Sequence, residues 1–506
     1  MPMSPAVLRR PIALMLLATL VTAALPLSAD ASSLTNQIRN LLDATDLGTT
    51  RPAISVREAG SGRTIVDIEA DRSMIPASNM KILTTGAALH LLGADFRFGT
   101  RLLLDERTLY IVGDGDPGLG DPELLRHMGD SSAGGLDIED LIAVWTDAIS
   151  KAGIAELDAI IVDDRVFDRE FVHPSWPADQ LNRAYCAQVA GVNMHLNVLY
   201  FFPEPAASGR PVIGESVPRA PWITPANRGT TERGNSGANT AWIGRRLGSN
   251  QITLYGSVRH AYRVPVAVTI DNPPRFAGDL LAHRLRERGI RIAEDAVHVA
   301  AEDAPPPRGT LAAPPIKTPL AVAIRRTNTD SQNMYAEAMI KRIGNARTGR
   351  PGSWSDGAAM VRLAIHERVN EPALLESLVV ADGSGLSRDN RVSPALMTRW
   401  MDTLISDPEV SEIFLDSLAE GGRTGTLRDR MHHGALRTAV VQAKTGYIRG
   451  VSCVSGVVTA SGERRLFSIM FNSMNASNAR AKDVQDRIVE LIVRDMVNTA
   501  LPLGSD

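Results

Sequence analysis

Cysteine is nearly missing from this chain: 506 residues carry two thiols, Cys186 and Cys453. They are too few and too far apart for a zinc site or a disulfide framework; two buried thiols are the favoured reading, with a single bridge in an oxidising compartment as the alternative. An excess of either charge is missing too. The formal net charge is -3, from 54 basic and 57 acidic residues, and no long run of one sign occurs. The electrostatic footprint of a nucleic-acid or acidic-membrane binder is therefore absent. Beyond the N-terminus, no apolar stretch is long enough to cross a bilayer. What remains is 44% hydrophobic and 22% charged, a globular composition. The chain is too long for one core, and its length suggests about three domains.

The N-terminus has the pattern of a secretory signal. Arg9 and Arg10 precede an apolar run from Ile12 to Leu25, and Ala29-Asp30-Ala31 offers a small-x-small cleavage site before Ser32. Residues 1–31 are read as a signal peptide, which places the mature protein in the periplasm or otherwise outside the cytoplasm.

After the signal, Leu34, Ile38, Leu41 and Leu42 keep helical spacing. Two strand-like runs, 53–56 and 64–68, flank a Gly60-Ser61-Gly62 turn and predict a hairpin. A helix should open at Pro76-Ala77-Ser78 and stop at Gly93. At the other end, 440–444, 451–459 and 466–471 predict strands, and 479–500 an amphipathic helix. The two ends can share one sheet. The middle is richer in short strands and prolines, and Pro305-Pro306-Pro307 and Pro314-Pro315 punctuate its end. The expected architecture is α+β, with an antiparallel sheet flanked by helices. One domain, residues 32–95 and 316–506, is interrupted by a large β-rich insertion, 96–315, of two subdomains.

Three motifs carry chemistry. Ser78-Asn79-Met80-Lys81 is an S-x-x-K at a helix start, where positions i and i+3 share a face. A serine hydroxyl needs a base within reach, and a lysine can serve if burial or a neighbouring cation lowers its pKa. Ser331-Gln332-Asn333 opens another helix and offers a hydroxyl for proton relay and an amide for substrate or lysine. Lys444-Thr445-Gly446 sits on a strand expected at the sheet edge. There the lysine and threonine suit a carboxylate, and the glycine leaves room for substrate. Each motif alone is commonplace; capping serines and solvated strand lysines are frequent. Their order and local structure together match the active-site set of penicillin-binding proteins and β-lactamases.

The chain resembles one family in particular: the exported D-alanyl-D-alanine carboxypeptidases/endopeptidases, low-molecular-mass penicillin-binding proteins of class C. Roughly 250 residues separate Lys81 from Ser331, far more than a minimal β-lactamase places there. Further matching stretches are 113–117, 162–164, 382–388 and 425–427. Tyr447 departs from the pattern, since the family often has Ser or Thr after K-T-G. The resemblance implies a serine β-lactamase/transpeptidase-like fold and peptidoglycan peptides ending in D-Ala-D-Ala as substrate. It implies β-lactam antibiotics as inhibitors, no cofactor and no metal; peripheral membrane or cell-wall association is compatible with it. In the implied mechanism Ser78 is the nucleophile, Lys81 the general base and Ser331 the proton relay. Asn333, Lys444, Thr445 and Gly446 bind substrate, and the backbone N–H groups of Ser78 and Tyr447 hold the oxyanion. Of the two lysines, Lys444 is expected to stay charged and Lys81 to be neutral. Competing readings are a β-lactamase and a weakly catalytic wall-binding or β-lactam-sensing protein.

Other constellations are weaker. Gly113-Asp114-Gly115-Asp116-Pro117-Gly118 fits G-x-G-x-x-G, but Pro117 favours a loop and the aspartates would repel a pyrophosphate. His366-Glu367 lacks the second histidine of a zinc-protease helix, and the adjacent His432 and His433 diverge on any helix. Ser384 lacks the leading glycine of a nucleophile elbow, so its loop reads as a cleft wall.

Overall fold

Alternating strands from both ends of the chain meet in one sheet. In this computed structural model, which describes residues 29–129, 135–232 and 237–500, six antiparallel strands lie side by side. Their order is Ala419–Glu420, Val440–Ile448, Val451–Ala460, Glu463–Asn472, Arg51–Glu58 and Thr64–Ile68. The expected signal segment lies outside the described residues, except that its last three residues open the helix Ala29–Asp43.

The period of two decides which face each side chain covers. Ile54, Val56, Val454, Val458, Phe467 and Ile469 point to one face, under the terminal helices Ala29–Asp43 and Asn478–Ala500. Ala53, Cys453, Val457, Leu466 and Met470 point to the other, under a helical layer. That layer contains Met80–Leu92, Asn333–Thr348, Trp354–Val369 and Pro394–Ile405. Met80–Leu92 is buried on nearly every side, so the helix that follows Ser78 is the axis of the domain. Both cysteines are buried and unpaired, as the composition suggested.

The inserted part builds a second sheet, and it is rich in short strands, as expected. Its strands run Val297–Val299, Ala159–Asp163, Thr108–Gly113, Arg97–Asp105 and Thr310–Leu311. The first three pair in parallel, and the helices Ile138–Lys151 and Pro273–Glu287 accompany them. Within this β-rich part, helices therefore link the parallel strands. Small two- and three-stranded sheets lie between residues 198 and 269. Two subdomains are not marked by two cores: Leu109, Ile160 and Leu280 share one apolar cluster with Phe201, Ile243 and Leu254. Ile316–Pro319, assigned from sequence to the catalytic part, pairs with Arg97–Asp105 and completes the second sheet. Residues 167–189 do the reverse: Phe167, Trp176, Cys186 and Val189 pack into the helical-layer core of the first domain.

Candidate active site

Ser78 lies on a short 3-10 turn, Ala77–Asn79, that runs directly into the buried helix. Ala77 takes a left-handed φ of 47°, a conformation that costs a non-glycine residue about 1–3 kcal/mol and tends to cluster at functional sites. Two neighbours hold this turn. Asn79 is fully buried and donates to Ser455 Oγ at 2.6 Å, anchoring the turn to the sheet. Gly446 runs so close that a Cβ there would come 2.8 Å from Pro76 O and 3.0 Å from Ser78 N. Glycine at 446 is thus demanded by the Ser78 turn itself, a tighter reason than room for substrate. The same approach sets the peptide leading to Tyr447 beside the Ser78 amide.

The three motifs converge. Lys81 Nζ donates to Ser78 Oγ at 3.0 Å, to Asn333 Oδ1 at 2.7 Å and to Ser384 O at 2.9 Å. Asn333 opens its helix and donates from Nδ2 to Tyr185 O at 2.8 Å. Lys444 Nζ donates to Ser331 Oγ at 2.9 Å and to Thr445 O at 2.8 Å. Ser331 precedes the helix with a left-handed φ of 60°. Thr445 Oγ1 lies 2.9 Å from Thr426 Oγ1, so two hydroxyls stand together at the rim. The Lys444 strand lies one in from the sheet edge, but its edge neighbour covers only Gln442 and Ala443; from Lys444 onward its flank is open. Tyr447 turns its ring outward, 55% exposed.

Both lysines are wholly buried. Burial lowers Lys81 to about 7, against the pull of the Glu337 and Asp382 carboxylates. Lys444 is lowered well below the ordinary lysine range by burial and by the charge of Lys81, with Asp330 opposing. Both shifts run the same way, toward the neutral amine. Two carboxylates face Lys81; Lys444 has only Asp330, which is already engaged by Arg326 at 2.5 Å.

A cleft of about 1140 Å³ opens over Ser78, Ser331 and Asn333. One wall is the loop bearing Gly385, Leu386 and Arg388; the inserted part supplies Gln180 and Tyr185. The loop has little freedom. Asp382 accepts from Gly385 N at 2.8 Å, Ser387 N at 2.6 Å, Asn390 Nδ2 at 2.8 Å and Trp176 Nε1 at 2.9 Å. Ser384 is fully buried and Leu386 N donates to its Oγ at 3.3 Å, so it offers the cleft no second nucleophile. Sequence reasoning missed Glu337, whose signal was there: one acidic residue in the apolar helical run from Met334 to Ile340. The glycine-rich decoy is a loop, with Gly118 N donating to Asp116 Oδ1 at 2.8 Å.

Residues 34–494 match the model of the D-Ala-D-Ala carboxypeptidase 3 (S13) family. The chain belongs to this family. It is 30% identical over 499 residues to the D-alanyl-D-alanine carboxypeptidase of Actinomadura sp. (strain R39), covering 94% of this chain and 88% of that one. It is 22% identical over 435 residues to D-alanyl-D-alanine carboxypeptidase DacB of Haemophilus influenzae, covering 84% and 86%. The fold of this carboxypeptidase is that of penicillin binding protein 4 (dacB) from Haemophilus influenzae, with a TM-score of 0.71 over 93% of this chain and 98% of that one at 20% identity. A second structure of that protein is a complex with a β-lactam.

Proposed function

We propose that this serine peptidase of the D-Ala-D-Ala carboxypeptidase family cleaves peptidoglycan peptides through an acyl-enzyme on Ser78. The observation that carries the proposal is the set of partners around Lys81 Nζ. A neutral amine has two N–H donors and one lone pair. Asn333 Oδ1 and Ser384 O can only accept, so they take the two N–H groups. Ser78 Oγ carries the only proton in the set that can be given back. Loss of the Lys81 proton therefore aims the lone pair at the Ser78 hydroxyl.

Ser78 attacks the scissile carbonyl while Lys81 takes its proton. The backbone N–H groups of Ser78 and Tyr447 stabilise the oxyanion, one such donor being worth about 3 kcal/mol. Ser331, bonded to Lys444, passes a proton to the leaving amine. Asn333 holds Lys81 and the acyl side, and Gly446 lets the substrate-binding strand reach the Ser78 turn. Thr445 and Thr426 present hydroxyls to the terminal carboxylate of the substrate. Water then releases the acyl group. β-Lactams, one of which the Haemophilus protein holds, acylate the same serine. The arginine-led apolar N-terminus supports export to the periplasm.

Penicillin should add to the protein once, on Ser78, as read by intact mass and peptide mapping. An adduct that survives Ser78→Ala, or maps to Ser384, rejects the assignment. Rapid penicillin turnover with none on a D-Ala-D-Ala peptide would make the enzyme a β-lactamase instead.

A further inference from the structure

Asn333 and Glu337 lie four residues apart on one helix, hence on one face. Asn333 touches Lys81 directly. Glu337 belongs to none of the three motifs, is fully buried, and reaches Lys81 through one intermediary. Its Oε2 accepts from Trp354 Nε1 at 2.7 Å and Gly383 N at 2.9 Å, and its Oε1 from Ser384 N at 2.8 Å. The carbonyl of that same Ser384 accepts from Lys81 Nζ. Burial and the neighbouring Asp382 raise the Glu337 carboxyl to about 7 against the donors around it, two of them successive amides of the cleft-wall loop, so it carries its charge above that pH.

We propose that Glu337 is a positioning residue for Lys81: it grips the 382–388 loop so that Ser384 O holds the amine against Ser78, and it faces that amine with a buried negative charge. The other charged groups around the pair are Asp382 from the loop, Lys444 from the strand, and Lys341 from the same helix. Lys341 is itself engaged, with Asp168 at 2.5 Å. The loop cannot drift to compensate on the Ser78 side. Gly385, at a φ of 83°, already approaches Ala77 O so closely that a Cβ would lie 1.8 Å from it.

Glu337→Gln keeps the shape and removes the charge. It also sets an amide NH2 against donors that need an acceptor. Without the carboxylate, protonated Lys81 loses an attractive neighbour and gives up its proton at lower pH. The acid limb of acylation should move down by about one pH unit, while the plateau rate falls about tenfold or more. Glu337→Asp retains the charge but cannot span both amides; its plateau should fall with the limb near its original place. Trp354→Phe keeps the glutamate and removes one donor, which makes the carboxylate harder to ionise and should move the limb the same way by less. It serves as the folded probe if Glu337→Gln does not fold. Acylation is followed with a neutral activated ester, with folding checked by circular dichroism. A folded Glu337→Gln or Trp354→Phe enzyme whose limb stays in place overturns the proposal, because a purely structural role lowers the plateau without moving the limb. The proposal rests on Lys81 as the base; Lys81→Ala measured alongside separates the two, since near-normal acylation there removes that premise independently of Glu337.

Discussion

Lys444 Nζ lies 2.9 Å from Ser331 Oγ, and both sit beneath the open flank of the strand that carries the K-T-G. The lysine is therefore spoken for by a serine before any substrate arrives. Burial and the charge of Lys81 both press on its proton, so the two ammonium groups repel each other. Lys444→Met then removes that repulsion, and the acid limb of acylation should move to higher pH. The rate should also drop about 10²-fold or more, because Ser331 loses the ammonium group that replenishes its proton. A limb that stays in place or moves to lower pH would show that Lys444 does not set the proton affinity of Lys81.

Lys81→Ala should abolish acylation, by about 10³-fold or more, in a protein that still folds. In the native enzyme, acylation should fall away below about pH 7, where Lys81 takes up a proton and loses its lone pair. The sign follows from the role: a base works only when neutral. A profile flat to pH 5 with a neutral ester would exclude Lys81 as the titrating group.

Adding one methyl at two glycines should rank in a set order. Gly385→Ala meets Ala77 O at 1.8 Å on a backbone with φ of 83°. Gly446→Ala meets Pro76 O at 2.8 Å without that conformational penalty. Both should slow acylation, with Gly385→Ala losing more stability in thermal melts. Overpacking of this kind costs about 1–3 kcal/mol, and more where the backbone cannot shift. Equal melting temperatures for both variants and the native enzyme would mean that the turn yields easily.

Deleting residues 96–315 should leave no folded enzyme. From sequence, that stretch has the connectivity of a separate lobe. The structure welds it to the catalytic part through Phe167 and Trp176 in the shared core. Arg326 also pairs with the buried Asp121 at 2.8 Å. A milder probe is Trp176→Phe, which strips one of four donors from Asp382. It should lower stability by about 1–2 kcal/mol and slow acylation modestly. Circular dichroism and penicillin labelling read both variants; a folded, labelled deletion would show that the insertion is dispensable to the site.

The sequence by itself determined the local elements and the chemical vocabulary of the site. Strand alternation at both ends, the helix stop at Gly93, and the serines and lysines at 78, 81, 331 and 444 were legible because each depends on near neighbours and residue type. Ser331 and Asn333 needed no distance measurement to be noticed, only the order of the motifs. Tertiary structure decided what depends on contacts between distant segments. How strongly each lysine holds its proton turns on burial and on the charges that face it, and Glu337 and Asp382 come from different segments. Gly446 is glycine because of a turn 370 residues earlier in the chain. The parallel pairing inside the β-rich insertion was not legible, because it joins strands such as 108–113 and 159–163 that are far apart in the chain, where periodicity within any one strand carries no record of its partner. Burial, distance and pairing between remote residues are properties of the folded chain, and they are what turn three ordinary motifs into one site.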